Sequence, residues 1–115
     1  VAGKNTEDPW GRDPQVQYLR KVFSCIEEMQ KNLLQQLKVS PFDYRLPRVR
    51  EATLSLFEKA WVIASRKGLA QKEDEVALLY LYIFARILRA NRISVPEDIL
   101  PPHKEIASVV KEVFS

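Results

Sequence analysis

The residues best equipped for chemistry in this sequence are arginines, gathered where a helix should begin. Arg45-Leu-Pro-Arg48-Val-Arg50 places three guanidinium groups close together, and Pro47 is tolerable only within the first turn of the helix that follows. A helix N-terminus disfavours an exposed cation by about 0.3–1 kcal/mol, so this arrangement calls for a compensating anion. Free backbone N–H groups and guanidinium forks together suit a phosphate or a carboxylate. The cluster therefore reads in two ways. Either it meets a nucleic-acid backbone or an acidic partner helix, or it pairs with carboxylates of the same chain, such as Asp43 or Glu51. Arg86, Arg89 and Arg92 form a second candidate for anion contact, but they fall at a predicted helix C-terminus, where the dipole already favours them.

Other chemistry is thinly supplied. His103 is the only histidine and Cys25 the only cysteine, and they sit on different predicted helices. A zinc site needs several soft or imidazole ligands at defined spacing, and the Glu-x-x-His pairs of bundle di-metal sites are missing. The glycines stand alone at 3, 11 and 68, so no phosphate-cradling loop is present. Glu27-Glu28 reads as a solvated face, and Glu73-Asp74-Glu75 as a helix N-terminus. The expectation is a protein that is not an enzyme, with no catalytic residue, metal, cofactor or small-molecule substrate.

The totals agree with a small helical domain. One chain of 115 residues with 46% hydrophobic content fits a single globular domain, and three glycines with no alternating Val/Thr/Tyr segments argue against β structure. A lone cysteine points to a reducing compartment, and no signal peptide opens the sequence. The expected location is the cytoplasm, or the nucleus of a eukaryote. The net charge of +3 is concentrated in residues 41–72, and permits a polyanionic partner without requiring one.

The elements that must position these residues are read from hydrophobic periodicity. Residues 1–12 show none and read as a flexible N-terminal arm, in which Trp10 either docks on the protein's own surface or waits for a partner. Residues 13–115 read as one domain, an all-α four-helix bundle. Asp13-Pro14 opens helix one, which runs to about Lys38. Its stripe is Val16, Leu19, Phe23, Ile26, Leu33 and Leu37, with Gln30 in the one place that breaks it. At roughly 36 Å this helix is long for so short a chain. Either the other helices cover it fully, or Val16, Leu19, Phe23, Leu33 and Leu37 leave a face for a protein partner or a second copy.

Helix two runs from Tyr44 or Pro47 to Lys67, where Gly68-Leu69 closes it. Helix three, residues 73–90, carries no charge from Val76 to Ala85. A helix apolar on nearly every side must be surrounded, and ten uncharged residues fall well short of the roughly 20 that a bilayer needs. It is the buried centre of the bundle, and no membrane contact is expected. Ser94-Val-Pro-Glu97 has capping-box spacing, but Pro101-Pro102 limits that helix to about one turn. A last amphipathic helix begins near Pro102.

The run from Arg86-Ile-Leu-Arg to Pro101-Pro-His-Lys-Glu105 resembles the end of the helical A domain in GINS proteins, the scaffold subunits of the archaeal and eukaryotic replicative helicase. There an Arg-rich helix end, a short linker and a Leu-Pro step lead into a final helix. Pro41-Phe-Asp-Tyr44 before a long helix is similar to that family's Asp-Phe-Tyr entry. The resemblance spans about residues 41–114. It implies a non-catalytic scaffold that packs helix against helix within a replication complex. From the residues themselves, the expectation is a helical interaction module in a larger assembly. The alternative is a small basic nucleic-acid-binding protein using the arginines that open helix two.

Overall fold

The order of elements is α1 (Pro14–Gln36), α2 (Leu46–Arg66), α3 (Glu73–Ala90) and α4 (Lys104–Val113). The computed structural model describes residues 14–69 and 71–115, with all of their side chains except those of Gln15, Val16 and Leu19, and contains no strand among them. The expectations for the N-terminal arm and Trp10 lie outside the described residues. The four-helix bundle is as read from the periodicity, and α3 has the expected bounds.

Helix α3 is the centre for the reason its composition implies. Eleven of its 18 residues are buried, with Val76, Ala77, Leu79, Ile83, Phe84 and Leu88 fully so. It packs against each of the other three helices. The Tyr18 hydroxyl donates to the Gln71 carbonyl at 3.1 Å, just before α3 starts. Arg45, just before α2, donates to the Asn91 carbonyl at the end of α3. So α1 runs alongside α3 in the same direction and α2 returns against it. The α2–α3 seam is an aromatic ladder: Trp61 on Phe57 (5.3 Å between centroids), Phe57 edge-on to Tyr80 (5.6 Å), and Tyr80 stacked with Phe84 (6.0 Å). Such pairs add about 0.5–1.5 kcal/mol each beyond area burial.

Three helices end in one geometry. After α1, Lys38 N–H bonds the Gln35 carbonyl and Val39 N–H the Leu34 carbonyl; Gly68 and Leu69 repeat the pattern on Ser65 and Ala64, and Arg92 and Ile93 on Arg89 and Leu88. Each is a Schellman cap whose following apolar residue folds back on the helix. The central residue is left-handed each time, with φ of 59° at Lys38, 74° at Gly68 and 66° at Arg92. Only the Gly68-Leu69 cap was legible beforehand, because glycine is the residue this conformation favours. Asn91 helps to stop α3 from the side, donating Nδ2 to the Ile87 carbonyl at 2.8 Å. A left-handed non-glycine residue costs roughly 1 kcal/mol. Lys38→Gly and Arg92→Gly should therefore each raise stability by up to about 1 kcal/mol, measured as a higher urea midpoint with an unchanged slope.

Residues 91–103 form an ordered linker. The one-turn helix expected after Ser94 is a turn instead, with Ile99 N–H reaching the Pro96 carbonyl at 3.4 Å. Pro101 and Pro102 have no N–H to extend it. The linker is held from α3: Arg89 donates to the Val95 and Pro96 carbonyls, and the Tyr82 hydroxyl to the Pro101 carbonyl. His103 then caps α4, its Nδ1 accepting from the Ile106 N–H at 3.3 Å.

Candidate interaction site

Each sequence-predicted arginine has a traceable place, and the structure does not bring the first three together. Arg45 is turned onto Asp43. Its Nε and Nη2 donate to the two carboxylate oxygens at 3.0 and 2.7 Å, and its backbone N–H adds a third bond at 2.9 Å. Its Nη1 reaches the Asn91 carbonyl at 3.2 Å, filling an acceptor that the end of α3 leaves open. Arg45 thus has an anion from its own chain, while Glu51 makes no ion pair among the described residues. Arg48 is exposed. Arg50 is half-buried and faces the other way, towards Tyr80.

The side-chain hydrogen bonds to Arg45, followed by its backbone bond, hold the Asp43 carboxyl down at about 2, from a usual 3.8. A depressed carboxyl contributes stability that is complete above its unfolded value and is lost as pH falls through the folded one. The Asp43–Arg45 clamp should therefore weaken between about pH 4 and pH 2. Urea midpoints measured across that range should fall faster for the parent than for Asp43→Asn, which carries no such titration.

Towards the same C-terminal end of α3, Arg86 lies over the Phe114 ring at 4.5 Å, a cation–π contact that also secures the C-terminus. Arg89 is committed to the linker carbonyls. Arg92 is exposed and left-handed. Arg86 and Arg89 share a cavity of about 510 Å³ with Glu97 and Asp98, so the field there is of mixed sign.

The more informative feature is what α1 fails to touch. Although only nine residues separate α1 from α2, α1 packs on α3 alone, and α2 packs on α3 and α4. Between α1 and α2 runs a groove of about 620 Å³, floored by Tyr80. Phe23, Ile26 and Leu34 line it from α1, and Arg50 and Leu54 from α2, with Val39 and Pro41 of the connector at its end. Phe23 and Leu54 remain 41% and 43% exposed. Burial pushes the Tyr80 phenol above its usual value, with Arg50 pulling the other way.

Gln30 also lines this groove. It is 8% exposed, and its Oε1 is buried with no hydrogen-bond partner. Nearly all buried polar atoms are paired, so an oxygen shut off from both solvent and partner is a cost to the fold. In the sequence, Gln30 showed only as the break in the apolar stripe.

The proposed partner contacts on α1 separate along the helix. Phe23 is on the groove and exposed. Leu33, at 4% exposure, is buried inside its own chain, and Leu37 is half-buried against the core. The side chains of Val16 and Leu19 are not among those described. Sequence reasoning missed Leu54 and the connector aromatics Phe42 and Tyr44, which are 43%, 92% and 87% exposed.

The lone histidine and the lone cysteine both have partners within the chain. His103 Nδ1 caps α4. The Cys25 Sγ contacts Met29 Sδ at 3.6 Å, and burial, then the nearby Glu73 and Asp74, push its thiol up, away from the reactive thiolate. No helix of the described residues is long and apolar enough to cross a membrane, and none of their His, Cys, Asp and Glu side chains gather in a group of three that could hold a metal ion. Comparison with known proteins finds no matching family model, curated protein or solved structure.

Proposed function

We propose that this protein is a non-catalytic helical interaction module that works as a subunit of a larger assembly, with the α1–α2 groove as its docking surface. The observation that carries this reading is the incomplete packing of α1. Two helices adjacent in sequence stand apart over Tyr80, leaving Phe23 and Leu54 exposed and the Gln30 oxygen unpaired. An exposed apolar groove supplies driving force to a docking segment. A scaffold within a replication complex is the setting implied by the resemblance of residues 86–105 to GINS proteins.

The test uses Leu54→Glu, a change on the exposed wall of the groove. The variant should melt within a few degrees of the parent. In gradient sedimentation of native extracts, the parent should run well above the 13.3 kDa of one chain, and Leu54→Glu should run as the free chain. A parent that itself runs as one free chain contradicts the reading.

A second reading, nucleic-acid binding, is favoured by one observation. The Arg45–Asn91 bond draws the start of α2 to the end of α3, so the exposed Arg48 and Arg92 belong to the same end of the bundle. It requires salt-dependent binding that weakens in Arg48→Ala/Arg92→Ala. No binding to single- or double-stranded DNA or RNA at low salt removes it.

A further inference from the structure

One end of the bundle is cationic and aromatic at once. Tyr18 on α1 is level with Gln71, and from there α1 and α3 run almost equally far, to Gln36 and Ala90. Both finish at the same end, where the Arg45–Asn91 bond also holds the start of α2. Lys38, Arg48 and Arg92 are exposed there, and none of their side chains has a hydrogen-bond or ion-pair partner among the described residues. Carboxylates are scarce around them. Between Glu28 and Glu51 the only one is Asp43, which Arg45 neutralises, and from Val76 to Pro96 there is none.

The turn between α1 and α2 adds two rings to this surface. Phe42 and Tyr44 are 92% and 87% exposed, and they do not hang on a slack loop. The Phe42 N–H donates to Ser40 Oγ and the Asp43 N–H to the Ser40 carbonyl, both at 3.1 Å. The bonds from Arg45 to Asp43 then fix the turn, with the Arg45 guanidinium 5.9 Å from the centre of the Tyr44 ring. Rings already held in place lose little freedom on binding.

The helix ends point to the same surface. Of the three Schellman caps, the two at this end put Lys38 and Arg92 in the left-handed position, at φ of 59° and 66°, and the one at the other end puts Gly68 there. Glycine takes that conformation without strain and a side chain does not. The dipole rewards a cation at a helix C-terminus, but α2 meets that demand from Arg66 and keeps glycine for the bend. Only at this end does the chain accept strain to keep a cation beside the rings.

Resting on the reading of this end as a nucleic-acid surface, we propose that its ligand is a single-stranded polynucleotide. Phe42 and Tyr44 stack on its bases, and Lys38, Arg48 and Arg92 meet its phosphates. Stacking needs free base faces, which a single strand offers and a duplex keeps turned on one another. An acidic protein segment would use the cations and leave the rings idle. Stacking accepts any base, so binding is tolerant of sequence. None of these side chains lines the α1–α2 groove, so the strand site is distinct from the docking surface. Arg45 is a positioning residue, which neutralises Asp43 and holds the aromatic turn.

Fluorescence anisotropy of the purified chain with labelled oligo(dT) and oligo(U), each about 15 nucleotides, tests this beside a labelled duplex of equal length. Either single strand should bind more tightly than the duplex, and the tighter of the two names the sugar. Affinity should fall with salt at a log–log slope of about −2, for three phosphate contacts. Phe42→Ala and Tyr44→Ala should each weaken binding roughly 5- to 150-fold. Both rings lie almost wholly in solvent, so these variants should melt with the parent, and lost binding cannot be charged to misfolding. Lys38→Gly and Arg92→Gly should each reduce the salt slope by about 0.7 without lowering the melting temperature, and Arg66→Ala at the other end should leave binding unchanged. Binding that is as tight for the duplex, or indifferent to both ring variants, overturns the single strand and leaves the broader nucleic-acid reading standing. Labelled polyglutamate bound as tightly as oligo(dT) assigns the cations to an acidic protein and overturns the proposal. No binding of any nucleic acid at low salt overturns both.

Discussion

Leu81→Asp is expected to abolish the folded state. Leu81 is 1% exposed in the middle of α3, the helix on which all three others pack. The substitution gives up roughly 1.5–3 kcal/mol of apolar burial and leaves a carboxylate with no cation in the uncharged run from Val76 to Ala85. A buried charge without a partner costs several kcal/mol more. Against a total stability of about 5–15 kcal/mol, the sum removes most or all of the margin. Circular dichroism should show no cooperative melt above about 25 °C, where domains of this size normally remain folded. A melt within a few degrees of the parent's would mean that α3 is not the centre of the fold.

Gln30→Met is expected to act in the opposite direction on stability. The parent buries an amide oxygen without a partner, a cost of about 1–3 kcal/mol by protein mutational data. Methionine has nearly the same length and shape, is a good helix former and adapts to irregular gaps. The urea midpoint should rise by the equivalent of about 1–3 kcal/mol with the slope unchanged. A Gln30→Met protein less stable than the parent would show that the amide is satisfied in solution.

Much of the fold was legible because its signals are local. The uncharged run of α3 could only be a surrounded helix, and its acidic start and arginine end obey the dipole. The glycine at 68 announced its own cap. Lys38 and Arg92 hid equivalent caps, because the backbone there is set by the apolar residues Val39 and Ile93 folding back, not by residue type. The arginines at 45, 48 and 50 were conspicuous as a cluster, yet their proximity in sequence did not survive folding. Asp43, two residues upstream, claims Arg45, and helical geometry sends Arg50 into the groove. Leu54 and Phe57 look alike on a helical wheel, and only the gap between α1 and α2 makes one exposed and the other buried.

The same gap explains why the candidate site was mostly hidden. Periodicity tells which face of α1 is apolar, but not that α2 stops short of covering it. Gln30 interrupts the stripe in the sequence, and only the packing shows its oxygen to be orphaned. Phe42 and Tyr44 in a proline-containing connector carry no helical period at all, so nothing along the chain distinguishes an anchored aromatic turn from an ordinary loop.

The central claim is that the α1–α2 groove is occupied when the protein works. Photo-crosslinking in living cells tests it most directly, with a photoreactive phenylalanine analogue at position 23 on the groove and, in a separate chain, at Ser108 on the exposed face of α4. The account predicts one discrete adduct from position 23, lost when Leu54→Glu is added, and none from position 108. Equal crosslinking from both positions, or no discrete adduct from position 23, would contradict the account.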